Sequence, residues 1–494
     1  MKVSHRLLLA WTLVLVVASA GGGRAAAVAA AQAPFPLTVT GGQITGQGGA
    51  RTVLLRGVNV NALVDYPTRH QEAVPVGAED FAEMRALGFD FVRLPVSLSL
   101  LLPSPHTVSA AYLERIGQVV DEAAHAGMWV LIDLHQDRYS KVLDPTHEAD
   151  GFPAWMVPDF GLSEKPILFG KTTLAIQAAF TAFWFNLTIH GEHMWSAYAQ
   201  GLSALARHFA HQPAVVGYDL MNEPNPGFIP ESDFLAHHLL PFYQAMIRAL
   251  RKADPRALAF VEPDVIGDLG LSHPAVWSQL HGTKGLVYAP HMYQGVFTPA
   301  FTSTPPRGQA LWDGKIASLA GAYRNASLVA REMGAALLVG EFGIRPSPVG
   351  DRWIEDQVRL QNRYRIGSAF WVWKISPSFY DWGVVDLSGK LRAHTRRAQI
   401  LAWPHPLWVR GRLTQVHFDP ATATARFAYE ATSGGTSRFY LSSLTWPSGF
   451  TVSTSAPHTL SWHRFVLPGA DLRWAVLTVE APAGATVQVT VRPR

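Results

Sequence analysis

The stretch "VVGYDLMNEPNPG" at residues 215–227 is an apolar run that ends in an amide and a carboxylic acid, Asn222 and Glu223. Pro224 and Pro226 follow at once, and proline cannot continue the hydrogen-bond ladder of a central strand. Buried carboxylates cost free energy unless they are paired or have a function. The stretch therefore predicts a buried strand whose C-terminal end carries a functional side chain.

Seven further short apolar runs occur along the chain, at residues 52–60, 91–97, 129–135, 258–263, 285–293, 336–343 and 367–375. Their near-continuous hydrophobicity is typical of parallel strands that are covered on both faces. Amphipathic segments separate them, such as residues 109–127, where Gly127 is a C-terminal stop signal. The pattern predicts a (β/α)8 TIM barrel, an α/β fold. A doubly wound sheet is the alternative, but no Gly-x-Gly-x-x-Gly loop follows the first run.

Polar side chains lie at the C-terminal ends of these runs, where barrel enzymes build their active sites. These residues are Asn59, Arg93, His135, Asn222, Glu223, His291, Tyr293, Glu341 and Trp373. The sequence therefore predicts that they gather at one rim of the barrel.

The chain has 494 residues, of which 48% are hydrophobic and 16% are charged, as expected for a globular protein with a large core. It contains no cysteine, which excludes disulfides and thiolate metal sites. Residues 1–33 combine a basic start, an apolar stretch and small residues, and we interpret them as a signal peptide cleaved near residues 31–33. An uncleaved membrane anchor is the alternative. We expect a secreted, extracellular protein.

Residues 404–494 change in character to short alternating strands, which predict a small all-β sandwich domain after a catalytic domain at residues 34–403. They hold eight arginines and four acidic residues, so they carry the whole formal net charge of +4. Two interpretations are open: attraction to an anionic surface, which includes a peripheral membrane contact, or solubility and protection of strand edges. We expect a monomer without a nucleic-acid partner.

Two carboxylates at the predicted rim, Glu223 and Glu341, can cleave a glycosidic bond, one as an acid and the other as a nucleophile or base. Arg93 would keep Glu341 ionised, and the charge of Glu341 would raise the pKa of Glu223. Asn222 could bind a sugar 2-hydroxyl. The motif "HGEHMW" at residues 190–195 lacks the spacing that places two metal ligands on one helical face, so we expect no metal and no cofactor.

At these residues the sequence resembles glycoside hydrolase family 5, a retaining clan-A family of (β/α)8 enzymes, through "NEP" at residues 222–224 and "GEFG" at residues 340–343. It is similar to the endoglycoceramidase-like branch in "DLHQDRYS" (133–140), "DGFPAW" (150–155), "FWVWK" (370–374) and "WPHPLWVRG" (403–411). The resemblance covers about residues 35–494.

The resemblance implies a role for each matching residue. Glu223 would be the acid/base and Glu341 the nucleophile. Tyr293 would donate a hydrogen bond to the nucleophile, and Trp373 would form a stacking floor under the sugar. The remaining substrate-binding residues would be Arg93, His135, Asp137, Asn222 and His291, with Asp137 as a ligand for a sugar hydroxyl.

Two segments bear on the substrate. The loop at residues 57–70 lacks the lysine that the resemblance leads us to expect, so the glycan preference is open. The insertion at residues 144–195 is rich in Phe and Trp, and it is either a self-packed lid or an apolar wall for a lipid aglycone. We expect an enzyme that cleaves glycosphingolipids between the glycan and the ceramide. One alternative is a β-glucosylceramidase. Another is an endo-β-glucanase or a β-glycosidase that acts on soluble glycans. A non-catalytic glycolipid-binding protein is the alternative of another class.

Overall fold

The structure is a computed structural model that describes residues 33–67, 74–145, 149–163, 165–167, 172–264, 267–269, 274–296, 317–374, 382–385, 396–467 and 470–494. All but the last residue of the predicted signal peptide lies outside the described residues. Within the described residues, none of the helices combines the length and the apolar character that crossing a bilayer requires.

The strands that precede or form the barrel are β1 Leu37–Thr40, β2 Gln43–Gly46, β3 Arg51–Val53, β4 Arg56–Asn59, β5 Phe91–Ser97, β6 Trp129–His135, β7 Pro166–Ile167, β8 Thr172–Thr173, β9 Thr188–Ile189, β10 Glu192–His193, β11 Val215–Asp219, β12 Leu258–Val261, β13 Leu286–Tyr288, β14 Ala336–Phe342 and β15 Gly367–Phe370. The strands of the C-terminal region are β16 His405–Val409, β17 Gly411–Asp419, β18 Thr424–Ala431, β19 Gly435–Ser442, β20 Phe450–Thr454, β21 His458–Leu467, β22 Ala470–Ala481 and β23 Thr486–Pro493.

The α-helices are α1 Ala78–Ala86, α2 Leu98–Leu101, α3 Ala110–His125, α4 Leu174–Trp184, α5 Met194–Phe209, α6 Glu231–Phe234, α7 Leu240–Ala253, α8 Ala317–Met333, α9 Pro348–Tyr364 and α10 Arg396–Leu401. Local signals explain several of their ends. In α3 the Ser109 hydroxyl accepts a hydrogen bond from the backbone N of Tyr112, and Gly127 adopts a φ of +74° just beyond the last turn.

Eight parallel strands close into a barrel in the order β4, β5, β6, β11, β12, β13, β14, β15. This confirms the predicted (β/α)8 fold. Strands β5, β6 and β14 are buried along their whole length, as near-continuous apolar runs predict. Because parallel strands end at the same edge, the polar residues that end them meet at one rim.

The first predicted strand, residues 52–60, is divided between two sheets. Its end forms the barrel strand β4, but its beginning forms β3, which pairs with β16 of the C-terminal region. Strands β1, β2 and β3 thereby join β16, β19, β22 and β21 in one seven-stranded sheet. The predicted division at residues 34 and 403 therefore differs from the structure, since residues 37–53 pair with the C-terminal region.

The second sheet of the C-terminal sandwich has four strands, in the order β17, β18, β23, β20. The sandwich packs against the barrel beside α1. The Tyr440 hydroxyl donates to the backbone O of Ala86 over 2.7 Å, and Nε2 of His405 lies 3.1 Å from the backbone O of Gly88. Gly88 has a φ of +89° and a Cβ there would collide with the Tyr440 ring, so glycine is required at this contact.

Candidate active site

Arg93 lies within β5 and contacts the side chains of several residues that end neighbouring strands. Its guanidinium is fully buried and lies within 3.1 Å of six side-chain oxygens. These belong to Asn59, Asp133, Asp219, Asn222, Glu262 and Glu341. A rigid fork of five N–H donors suits such a task, because it can hold several oxygens in one plane. The position predicted for Arg93 beside Glu341 is therefore present, and its network is wider than predicted.

Glu341 lies on β14 and is held on both carboxylate oxygens. Arg93 Nη1 donates to Oε1 over 2.6 Å, and the Tyr293 hydroxyl donates to Oε2 over 2.9 Å. Burial raises the pKa of Glu341, while the charges of His291 and Arg93 oppose that increase. The hydrogen bond predicted between Tyr293 and Glu341 is thus part of the structure, and it fixes the orientation of the carboxylate.

Glu223 lies just beyond β11 in the left-handed region, with a φ of +39°. Such a conformation costs a non-glycine residue about 1–3 kcal/mol and is concentrated at functional sites. The Glu223 side chain remains 34% exposed, and its backbone N donates to Oε2 of Glu262 over 2.8 Å. The backbone therefore presents this carboxylate to the mouth of the barrel.

His291 connects the two glutamates. Its Nδ1 lies 2.8 Å from Oε1 of Glu223 and 3.5 Å from Oε2 of Glu341. The two carboxylate oxygens can be no farther apart than the sum of these distances, which is below the roughly 6.5 Å where the range for inverting glycosidases begins. The two glutamates thus approach the same nitrogen of His291.

The pKa of Glu223 differs in direction from the sequence-based expectation. Burial raises it, but the hydrogen bond and charge of His291 outweigh burial and place the pKa below its ordinary value. The negative charges of Glu262 and Glu341 hold His291 protonated by raising its pKa well above the usual range, although burial acts against this. We expected a raised pKa for Glu223, but the net shift is downward, because the His291 cation between the two glutamates outweighs their repulsion.

The other predicted binding residues lie on the same rim. The Asn222 side chain accepts from Arg93 Nη2 over 2.9 Å and donates to the backbone O of Gln136 over 3.0 Å. Nδ1 of His135 lies 2.7 Å from Oδ2 of Asp133. Burial lowers the pKa of His135, but the charge and the hydrogen bond of the Asp133 carboxylate act in the opposite direction, and the resulting pKa is about 9.

Asp137 is half-buried, and its backbone N and O pair with Asp150. Burial raises the pKa of Asp137, and the nearby charge of Glu223 raises it further. Asp137, the predicted ligand for a sugar hydroxyl, therefore lies close enough to Glu223 for the two carboxyl groups to interact electrostatically.

Trp373 does not occupy the predicted position under the sugar. It is only 1% exposed, its indole N–H donates to Oδ1 of Asp80 over 2.9 Å, and its ring meets Phe89 edge to face. Trp371 instead lies partly exposed and stacks parallel to His135, with ring centroids 5.7 Å apart. Trp371, and not Trp373, therefore presents an aromatic face beside the rim residue His135.

Three buried acids of the site were missed by the sequence analysis. Asp133 lies on β6, Asp219 ends β11, and Glu262 follows β12. Glu262 contacts Arg93, His291 and the backbone of Glu223, so it couples three strand ends. A signal for Glu262 was present, because it ends the run "LAFVE" at the same relative position as the other rim residues.

The loop after β4 is anchored where the expected lysine is missing. Lys141, from the loop after β6, reaches Oδ1 of Asp65 over 2.7 Å, and the Ser99 hydroxyl donates to Oδ2 over 2.8 Å. The backbone N of Asp65 donates to the Ser97 hydroxyl at the end of β5. Residues 68–70 of the predicted segment lie outside the described residues.

Among the described residues, one group has the spacing of a cation site: Glu223, Asp268 and His291, whose ligand atoms lie within 4.8 Å of one another. A protonated imidazole cannot donate an electron pair to a metal. Because the surrounding acids raise the pKa of His291 so strongly, the geometry favours a proton at this position.

The aromatic insertion has two faces in its described part, residues 144–145, 149–163, 165–167 and 172–195. One face of α4 is packed inside the protein, including Phe180, Phe183 and Trp184. The other face presents Leu174 and Phe185, which are separated by three helical turns and are exposed. The insertion therefore combines features of the predicted self-packed lid and of the predicted apolar wall.

Comparisons with known proteins agree with this geometry. Endoglycoceramidase I of Rhodococcus hoagii (strain 103S) is 32% identical over 265 residues, which cover 50% of each chain. The chain thus spans about half the length of this curated relative. A crystal structure of endogalactoceramidase has a TM-score of 0.74 at 26% identity and covers 93% of this chain and 100% of that chain.

Endo-glycoceramidase II from Rhodococcus sp. in its ganglioside GM3 complex gives the same TM-score of 0.74 at 26% identity, covering 92% of this chain and 100% of that chain. The sequence model for Cellulase (glycosyl hydrolase family 5) matches residues 52–376, which include every barrel strand and both rim glutamates. The chain belongs to glycosyl hydrolase family 5.

Proposed function

We propose that this protein is a secreted, retaining β-glycosidase that cleaves glycosphingolipids between the glycan and the ceramide. The observation that carries the proposal is the meeting of Glu223 and Glu341 at one nitrogen of His291. Retaining enzymes hold their two carboxyl groups about 5–5.5 Å apart, and the upper limit given by these contacts is compatible with that spacing.

In the first step, a carboxylate oxygen of Glu341 attacks the anomeric carbon, and the bond from that carbon to the ceramide oxygen breaks. Arg93 and Tyr293 hold the attacking carboxylate in one orientation, which lowers the entropic cost of the step. The product is a glycosyl ester of Glu341. Arg93 keeps its contacts with Asp133, Asp219 and Glu262 when Glu341 becomes a neutral ester.

The ceramide oxygen must gain a proton as it leaves, and Glu223 is placed to donate it. We infer that His291 supplies this proton, because its Nδ1–H is hydrogen-bonded to Oε1 of Glu223. Glu223 then accepts a proton from the water that attacks the ester, and the proton can return to His291. This relay reconciles the low pKa of Glu223 with a role as an acid.

An exposed apolar side chain in the loop that follows Glu223 supports a lipid aglycone. Phe228 follows in the same loop and is 53% exposed. The backbone N of Phe228 donates to the Thr181 hydroxyl over 2.9 Å, which holds it next to the exposed face of α4. The exposed apolar residues of this region are Leu174, Phe185 and Phe228. The names of the similar proteins, endoglycoceramidases and an endogalactoceramidase, point to the same substrate class.

The test is a series of β-lactosides with alkyl aglycones of increasing length, kept below their micellar concentrations. Each buried methylene contributes roughly 0.8 kcal/mol, so kcat/KM should rise steeply with chain length if this energy is used in the transition state. Phe228→Ser should flatten the series, whereas Leu328→Ser, an exposed apolar site on α8, should leave the slope unchanged.

Three results would redirect the proposal. A flat series together with fast cleavage of cellotetraose would assign the site to soluble glucans. Faster cleavage of glucosides than of lactosides would indicate a β-glucosylceramidase. Failure to release any aglycone from an aryl β-glycoside would indicate a non-catalytic binding protein. Export is tested separately, by N-terminal sequencing of the mature protein, with cleavage expected near residues 31–33.

A further inference from the structure

The two sheets of the sandwich have unequal widths, which leaves part of one sheet uncovered. The seven-stranded sheet ends in β21, and the opposing sheet has only four strands and ends in β20. The side chains of β21 that alternate towards the sandwich interior have buried partners on β22: Leu460 is opposite Leu477, and Trp462 is opposite Ala475. These positions would be core if the smaller sheet extended over them.

The uncovered part is apolar. Leu460, Trp462 and Val466 are 37%, 57% and 54% exposed, and together with Arg464 they form what we call the β21 overhang. Trp462 stacks on Phe450 of β20 with ring centroids 5.3 Å apart, so one ring face is anchored while much of the ring remains accessible. Edge strands are commonly protected by charged side chains, and Arg464 fits that role. Protection does not explain a tryptophan and two aliphatic residues around it.

The charges at the β21 overhang are predominantly positive. Arg464 is opposite Arg473 in the strand register, and both approach Asp471, at 2.8 and 3.5 Å. One acid is thus shared by two arginines. Arg494, also exposed, bonds through its backbone N to Gly449, the residue before Phe450. The surface therefore combines an exposed tryptophan, aliphatic side chains and excess positive charge.

We propose that the β21 overhang docks on the surface of an anionic phospholipid bilayer. Tryptophan is suited to the interface between headgroups and acyl chains, because its ring is apolar and its N–H can remain hydrated. Arginine side chains can lay their aliphatic parts along the apolar layer while their charged ends contact lipid phosphates. The positive excess of the overhang complements an anionic bilayer and is poorly suited to pairing with a second copy of itself.

The absence of cysteine from the sequence allows a direct test. Leu460→Cys in the full chain creates a single site for an environment-sensitive fluorophore, and Leu328→Cys provides a control of matched exposure, 37% against 38%. Vesicles of phosphatidylcholine with phosphatidylglycerol should shift the emission of the label at position 460 to the blue and leave the label at position 328 unchanged. Vesicles of phosphatidylcholine alone should give little shift. No glycolipid is present, so the result is independent of the catalytic proposal.

A charge variant provides the second measurement. Arg464→Gln should weaken binding to the anionic vesicles about fivefold at low salt. The matched control is Arg412→Gln, an exposed arginine that likewise pairs with an acid on the neighbouring strand, and it should bind as the unaltered chain does. Equal shifts at positions 460 and 328, or no shift at 460, would overturn the proposal. A shift at 460 that follows protein concentration without vesicles would assign the overhang to self-association instead.

Discussion

At the residue scale, the site depends on one buried arginine and one buried histidine that are shared among several acids. Arg93 contacts Glu341, and His291 contacts both Glu341 and Glu223. Because these cations have several partners, the pKa of each glutamate is a property of the cluster. The two pKa shifts have opposite directions. Glu223 has the shorter contact with the imidazolium, and the Glu341 side chain is the less exposed of the two.

The roles of the two glutamates can be separated by substitution. Glu341→Gln should reduce cleavage of every substrate to below detection, because no covalent intermediate can form. Glu223→Ala should slow substrates with poor leaving groups by about 10²–10⁴-fold and spare those with good leaving groups. Added azide should rescue the Glu223 variant with a β-glycosyl azide as the product. A β-glycosyl azide formed by the Glu341 variant, or an α-glycosyl azide formed by the Glu223 variant, would show that the assignments are reversed.

Because of His135, the free energy of unfolding should decrease as the pH rises into the alkaline range. Its folded pKa of about 9 lies above its ordinary value of 6.5, since the ion pair with Asp133 favours the charged form. The stabilisation is therefore complete below pH 6.5 and is lost as pH rises through about 9. The difference in unfolding free energy between the unaltered chain and His135→Gln should shrink by on the order of 3 kcal/mol across that range, measured by urea titration. A difference that stays constant would show that the ion pair does not form.

At the scale of elements, the strand ends place the chemistry and the loops beyond them select the substrate. Strands β5 and β6 coincide with the predicted runs residue for residue, and β14 ends one residue before its run does. The irregular segments after β11 and β15 are where prediction and structure diverge. Trp371 directly follows β15, and Glu223 lies four residues beyond β11 in a left-handed backbone conformation.

The two tryptophans after β15 should respond differently to substitution. Trp371→Ala should lower kcat/KM by roughly tenfold, because it removes the aromatic face beside His135. Trp373→Phe should cost about 1–3 kcal/mol of stability, since Asp80 loses a buried donor, while kcat/KM of the folded enzyme changes little. Steady-state kinetics and urea unfolding of both variants check this. The reverse pattern would return Trp373 to the position originally predicted for it.

The product of the first turnover reports on the spacing of the two glutamates. If no water fits between them, the reaction must proceed through two inversions, and the sugar is released with its β configuration. Proton NMR of the anomeric signal should detect the β anomer first and the α anomer only as mutarotation proceeds. An α anomer as the initial product would contradict the double displacement.

At the scale of the whole molecule, the sandwich is built from strands that lie both before and after the barrel in the sequence. Strands β1, β2 and β3 lie before the barrel in sequence but belong to the sheet of the sandwich. The backbone O of Phe35, just before β1, also accepts from the Trp129 indole N–H of the barrel strand β6. The N-terminal segment therefore connects the two parts and depends on both.

Removing residues 404–494 should consequently destabilise the barrel. Strand β3 would lose its partner β16, and the contacts of Ala86 and Gly88 with the sandwich would be lost. We expect residues 34–403 alone to aggregate and the full chain to unfold in one calorimetric transition. Tyr440→Phe gives a milder test, with a loss of about 1 kcal/mol in unfolding free energy. A soluble, active fragment of residues 34–403 would refute this coupling.

The sequence by itself determined the barrel, the order of its strands and the identity of the two rim glutamates. These features are encoded locally, because a buried parallel strand needs a continuous apolar run and its reactive residue directly follows that run. Only the tertiary structure decided three others: the depressed pKa of Glu223, the exposure of Trp371 in place of Trp373, and the pairing of β3 with β16. Each depends on a partner far away in the chain, such as His291, 68 residues after Glu223. Local hydrophobic patterns carry no information about which distant charge, ring or strand edge the folded chain brings into contact.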